Sequence, residues 1–345
     1  MTSIYALALQ TRCDAVNACT DAQAARALMR QSIARIALQV RASKGFIGPD
    51  VRLVVLPEYF LTGFPMGESI AAWRDKACLA MDDPLYRSLG EIAQHNQVFL
   101  SGNAYERDPN FPELYFQSSF ILSPSGELIL RYRRLISLYA PTPHDVWRKY
   151  LDIYGRDAVF PVVSTAIGRL ACIASEEILY PEIARALAFR GAEVFCHSTS
   201  EVGSPLNTPK SIAKRARAIE NLAYVVSANS AGIVGTAIPA SSTDAMSCVI
   251  DYRGLSLSEA HGGESMVAFA EISLDAQRRY RRRPGMGNLL ARQRADLFTD
   301  SYAQAPFHPA NGLLDANDQT LPADREYFLR SQAEVIDRLD RAGLI

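Results

Sequence analysis

The chain has 345 residues, 48 % hydrophobic and 21 % charged, which is ample material for one large α/β domain or two average ones. Its 36 Lys+Arg against 37 Asp+Glu leave a net charge of −1, so no global field favours nucleic acid or an acidic membrane as partner. No run approaches the roughly 18 apolar residues of a membrane span, and the apolar start of the chain has no basic region before it, so it reads as a first core strand rather than a targeting signal.

In chain order, residues 4–10 read as a strand, and Ala22 to about Val40 as an amphipathic helix with Ala25, Leu28, Ile33, Ile36 and Ala37 at helical spacing. A second strand covers Val51–Pro57, and Glu58 stands just past its end. A helix around 83–95 leads to a strand at 98–101. Residues 115–122 and 127–132 flank Ser123-Pro-Ser-Gly126, a hairpin turn signal. The segment 135–158, with Pro141, Pro143 and Trp147, reads as a long loop.

The stretch 168–182 reads as a buried strand, a sharp turn and a helix opened by Pro181, whose missing N–H costs nothing in a first turn. Ser175, Glu176 and Glu177 sit in that turn, where α/β enzymes place reactive groups beside a helix N-terminus. The helix ends at Gly191, a suitable left-handed cap. A strand at Glu193–Cys196, a loop to Pro209 and a helix over 210–221 follow. Further strands are expected at 223–228, 246–251 and 267–272, with Asp251-Tyr-Arg-Gly254 as a hairpin turn. The alternation of strands and helices, then hairpins, predicts mixed sheets covered by helices. One domain is expected over 1–302, and 303–345 as an arm and a C-terminal helix packing on that domain or a sister subunit.

The six cysteines (13, 19, 78, 172, 196, 248) have no metal-type spacing, and the five histidines do not cluster with them. They read as reduced thiols of a cytoplasmic protein, with no metal or cofactor implied.

Leu56-Pro-Glu-Tyr-Phe-Leu-Thr-Gly63 places a carboxylate at a strand end inside an apolar segment, where burial can raise its pKa and make it a general base near neutrality. With this motif the chain resembles the nitrilase, or carbon–nitrogen hydrolase, superfamily. The other pieces are Gln10 at the end of the first strand, the hairpin 126–134, the segment 180–193 after the turn, Arg217-Ala-Ile-Glu-Asn221, Asn229 and Gly232. The resemblance covers about residues 4–302. It implies a nitrilase-type four-layer αββα sandwich, usually paired into dimers or larger homo-oligomers. It also implies hydrolysis of non-peptide amides, nitriles or carbamoyl compounds through a Glu–Lys–Cys site and a covalent thioester.

The departures from that pattern decide the reading. The family's cysteine position falls on Ser175 and its lysine position on Arg134, while Glu58 is unchanged. A second family glutamate has no counterpart: its position is Thr142, with His144 and Asp145 as candidate substitutes. Cys172 lies within the buried strand and is not promoted. A serine hydroxyl is much harder to deprotonate than a thiol and usually needs a positioned histidine or lysine base. Arg134 can stabilise an oxyanion but cannot trade a proton.

Cys196-His197 offers a thiol beside an imidazole, but neighbours on a strand face opposite ways. His197 facing the pocket is the better reading, against the commoner outcome of a histidine bonded in the core. The basic run Arg278–Arg283 is read as structural ion pairs rather than a phosphate or nucleic-acid site.

The expectation is a hydrolase of a small amide, nitrile or related C–N bond, with Ser175, Glu58 and Arg134 as the site and Glu177, His197 and His144 as substrate contacts. The alternatives are a catalytically silent member that binds a small ligand or serves as an assembly partner, and an acyl or amide transferase.

Overall fold

The computed structural model describes residues 3–202, 208–305 and 307–345. Side-chain alternation along the strands sets its architecture. In the strand Ser3–Ala8, Ile4, Ala6 and Ala8 face one buried cluster while Leu7 faces another. Such a strand needs an apolar layer on each side.

Two sheets supply the middle layers. The first runs in the order Phe269–Ser273, Ser3–Ala8, Val51–Val55, Phe99–Arg107, Phe116–Leu122, Leu128–Arg133, with the short strand Leu79–Ala80 also on Phe99–Arg107. The second runs Ser256–Glu259, Cys248–Ile250, Tyr224–Ala228, Val194–Ser198, Gly168–Ala174, Val163–Thr165. Each has a parallel centre and antiparallel flanks. Leu53 and Val55 of the first meet Leu170, Cys172, Cys196 and Val226 of the second in the inter-sheet core. Helices Ala22–Ile47, Ile70–Ala77 and Pro84–Asn96 cover the outer face of the first sheet through Met29, Ile36, Trp73 and Leu89. Helices Pro181–Phe189 and Pro209–Asn221 cover the second through Ile183, Leu187, Ala213 and Ala218. This is the four-layer αββα order the sequence led us to expect.

One close approach fixes the outer helix layer. A Cβ added to Gly90 would lie 2.4 Å from the carbonyl oxygen of Gly126 in the hairpin turn. Backbone cannot swing aside as a long side chain can, so Gly90→Ala is expected to destabilise by about 1–3 kcal/mol. The check is a lower urea midpoint at unchanged slope; a wild-type midpoint would show that the turn can retreat freely.

The segment 135–158 departs from the expected loop. Pro143–Val146 forms a 3₁₀ turn that runs directly into the helix Trp147–Tyr154. The prolines lie before the helix and start it, with Asp145 accepting from the Thr142 N–H and hydroxyl at 2.8 Å each. Val146 and Tyr150 anchor it on Phe111 and Phe116.

The helix Arg325–Arg341 buries Phe328 against the first core, and the preceding segment is tied to the domain by Asn311 N–H to His144 O and Leu313 N–H to Asp145 O, at 3.0 and 2.9 Å. Among the described residues, no helix is long and apolar enough to cross a membrane.

Candidate active site

The C-terminal ends of the parallel strands from both sheets converge, the place where open α/β sheets present ligand-binding groups. Glu58 follows Val51–Val55, and its N–H bonds Thr199 O across to the second sheet at 3.2 Å. Ser198 Oγ donates to Leu56 O at 2.8 Å and closes the same seam. Glu58 is fully buried. Its Oε1 accepts from Gln117 Nε2 at 2.6 Å and its Oε2 from Ser200 N–H at 3.0 Å.

Arg134 leaves the strand Leu128–Arg133 and is only 6 % exposed. Its guanidinium lies 3.5 Å from Glu58 Oε1, donates to Gln117 Oε1 and Ile136 O at 2.7 Å each, and pairs with Glu176. Burial alone lowers an arginine's pKa, but Glu176 and Glu58 outweigh it and hold the cation above its usual range. Gln117 thus joins Glu58 to Arg134 with one amide, its oxygen on the cation and its nitrogen on the carboxylate.

Ser175 opens a 3₁₀ turn, Ser175–Leu179, immediately after the strand Gly168–Ala174. Its φ is +49°, in the left-handed region that residues with a Cβ seldom occupy. The side chain is nearly buried, at 5 % exposure. Lys210, from the first turn of Pro209–Asn221, reaches it: Nζ donates to Ser175 Oγ, Thr199 Oγ1 and Ser200 O, each at 3.3 Å. Burial pulls the Lys210 pKa below its ordinary value, against the raising fields of Glu58 and Glu201.

The sequence profile of the carbon–nitrogen hydrolase family matches residues 15–282. The chain belongs to the carbon–nitrogen hydrolase family. A formamidase of Bacillus thuringiensis is 26 % identical over 249 residues, 72 % of this chain and 69 % of its own length. Among solved structures, a member of branch 10 of the nitrilase superfamily from Saccharomyces cerevisiae superposes with a TM-score of 0.64 at 19 % identity, over 81 % of this chain and 94 % of that one. An amidase from Nesterenkonia sp. gives a TM-score of 0.59 at 20 % identity, over 87 % of this chain and 97 % of that one. At these identities the structural likenesses establish the fold.

In this member of the family several residues expected at the site lie elsewhere. His197 is fully buried and does not face Ser175 Oγ: its Nε2 lies 2.8 Å from the Ser175 main-chain carbonyl and its Nδ1 2.9 Å from Ser227 Oγ. A carbonyl only accepts, so Nε2 carries the proton and Nδ1 accepts from Ser227. Burial, reinforced by Lys214, keeps the imidazole neutral, with its pKa well below the usual value. This histidine holds the Ser175 backbone and has no free lone pair for its hydroxyl.

Glu177 is fully buried and points away from the site, accepting from Tyr132 OH and Leu135 N–H at 2.7 Å, Ile136 N–H at 3.1 Å and Ala174 N–H at 3.3 Å. It ties the serine turn to the arginine strand instead of contacting a ligand. His144 packs on His308, ring centroids 5.6 Å apart, and lines a separate cleft of about 730 Å³ with Trp147, Tyr180 and Phe328. Asp145 is spent on capping Thr142 and so does not fill the place of a second glutamate. Glu176 and Ile136, both bonded to Arg134, border that cleft as well as the site.

Cys172 and Cys196 face the inter-sheet core near Ser101, and burial pushes both thiols up. In the basic run, Arg278 pairs with Glu193 at 2.7 Å and Arg281 donates to the carbonyls of Ala192 and Leu222 at 2.8 and 3.0 Å, so both serve the fold. Among the described residues, no three His, Cys, Asp or Glu side chains are grouped to hold a metal ion.

Three site members escaped the sequence reading: Lys210, Gln117 and the Ser200 N–H. Lys210 alone left a signal, a cation in the first turn of a helix, where the dipole disfavours positive charge.

Proposed function

We propose that this carbon–nitrogen hydrolase cleaves a small non-peptide amide or related C–N compound by acyl transfer to Ser175. The observation that carries the reading is the backbone of Ser175: a residue with a Cβ held at φ +49° where a strand turns toward a helix, its hydroxyl bonded to Lys210 and the next residue, Glu176, paired with the buried Arg134. Strain of that kind costs about 1–3 kcal/mol and persists at reactive turns, where it aims a nucleophile. Arg134 supplies positive charge for the oxyanion, and Glu58 is the base that takes a proton from water in the second half-reaction. The names formamidase and amidase among its relatives support a short acyl group. The nearly closed surroundings of Ser175 favour the same size.

Wild-type protein is expected to release ammonia from a panel of formamide, acetamide and propionamide, with a mass adduct on Ser175 in intact-protein spectra. Ser175→Ala is expected to lose the adduct and at least about 10³-fold of the rate, as activated nucleophiles do when removed. Equal, slow ammonia release by both proteins would reject the reading and favour a silent, ligand-binding member, which the replacement of the family's cysteine and lysine also fits.

A further inference from the structure

Serine in place of cysteine creates a chemical demand: the hydroxyl needs a base that touches it. The described groups around Ser175 narrow the choice. His197 is bonded to the main-chain carbonyl and to Ser227, so its accepting lone pair is taken. Arg134 cannot accept a proton. Glu58 already receives Gln117 and Ser200 N–H and lies against Arg134. Lys210 Nζ is the titratable atom bonded to Ser175 Oγ, at 3.3 Å.

We infer that Lys210 is the general base and acid of the acylation step, forming with Ser175 a serine–lysine pair in place of the family's cysteine site. This deepens the function proposed above and rests on Ser175 being the nucleophile. The geometry of the amine fits the role. Two of its hydrogens go to Thr199 Oγ1 and Ser200 O, acceptors fixed on the loop after the strand Val194–Ser198. Losing the third therefore leaves the lone pair directed at Ser175 Oγ.

The neutral amine then takes the hydroxyl proton while Oγ bonds to the amide carbon and the carbonyl electron pair moves to oxygen beside Arg134. When the intermediate collapses, the C–N bond breaks and the Lys210 ammonium returns that proton to the departing nitrogen. Amide and serine become acyl-serine and ammonia, with Lys210 unchanged. Water then attacks the ester, its proton passing to Glu58 and on through the Lys210 amine to Ser175 Oγ as the acid leaves. The charges facing Lys210 are Glu58, Glu201, Lys214 and Arg134, with Glu201 bound to Lys214 at 2.8 Å. Burial, helped by the two cations, makes this lysine give up its proton more readily than in water, against the opposing pull of the two carboxylates.

The test is the rate at which methanesulfonyl fluoride, whose methyl group matches a short acyl chain, labels Ser175, followed by intact mass and peptide mapping across pH 6–10. This reaction needs the hydroxyl proton removed as the S–F bond breaks, and needs no knowledge of the substrate. Wild type is expected to label faster as pH rises through one ionisation below the ordinary lysine value. Lys210→Met is expected to label at least about 100-fold more slowly with no such rise, within the range for loss of a general base. Lys210→Arg keeps the positive charge and is expected to fold with a wild-type melting temperature yet label as slowly as Lys210→Met. Labelling of Ser175 at wild-type rates in both variants overturns the Lys210 step and leaves the nucleophile standing. No label on wild-type Ser175 at any pH overturns the nucleophile and this inference with it.

Discussion

Arg134→Met is expected to lose about 3–5 kcal/mol of stability, the range measured when one partner of a buried ion pair is removed. The reason is Glu58, which is fully buried and has the guanidinium 3.5 Å from its Oε1. Methionine fills much of the arginine's volume, so the loss is electrostatic and not a cavity effect. Gln117 Oε1 and Ile136 O also lose their donor. The partly exposed Glu176 contributes little, because water can solvate it once it is released. Urea denaturation gives the size, and a second substitution gives the cause. Glu58→Gln placed in the Arg134→Met background removes the stranded charge and is expected to recover more than half of the loss. A double variant no more stable than the single one would locate the damage in packing. Arg134→Lys is expected to fall between, losing about 1–3 kcal/mol, since a point charge cannot serve Gln117, Ile136 and Glu176 at once.

Much of this molecule was legible in its sequence because the code for layers is periodic. Ala25, Ile33 and Ile36 announced an outer helix, and the all-apolar run 170–174 a strand covered on both faces. The positions of Glu58, Arg134 and Ser175 came from the order of short motifs, each at the end of a strand that periodicity could find. What stayed hidden was the direction of side chains beyond those strand ends. Glu177 lies within the reactive turn and His197 touches it from the neighbouring strand, yet each is drawn into backbone bonds that only the folded geometry reveals. Lys210 is 35 residues from Ser175, a separation that says nothing of where its side chain docks. The helix Trp147–Tyr154 was concealed differently: prolines at 141 and 143 read as loop formers, whereas here they precede and start a turn. Part of the stretch before Lys210, residues 203–207, lies outside the described residues.

Glu177→Leu is expected to be at least as damaging to stability, about 4 kcal/mol or more, and to lower activity without touching any reacting group. Leucine is close in size, so the cost arises from stranded donors: the N–H groups of Leu135, Ile136 and Ala174 and the hydroxyl of Tyr132. Each buried donor left without an acceptor costs about 1–3 kcal/mol, less whatever relaxation or entering water restores. Glu177→Gln is expected to keep most of the stability, losing about 1–2 kcal/mol. Its oxygen can still serve Leu135 and Ile136, while its amide faces Ala174 N–H as donor against donor. The carboxyl also carries a pH signature. Burial raises its pKa from 4.5 to about 7, against the lowering influence of Arg134 and the bonds from Tyr132, Leu135 and Ile136. The native state therefore holds this proton more tightly than the unfolded chain, and stability contributed by Glu177 is full below pH 4.5 and lost as pH rises toward 7, with a slope of at most about 1.4 kcal/mol per pH unit. Urea midpoints of wild type and Glu177→Gln taken from pH 4.5 to 8 should converge as pH rises, since glutamine has no proton to lose. A constant gap across that range would mean that Glu177 keeps one charge state throughout, and that the link between the serine turn and the arginine strand is a pH-independent tie.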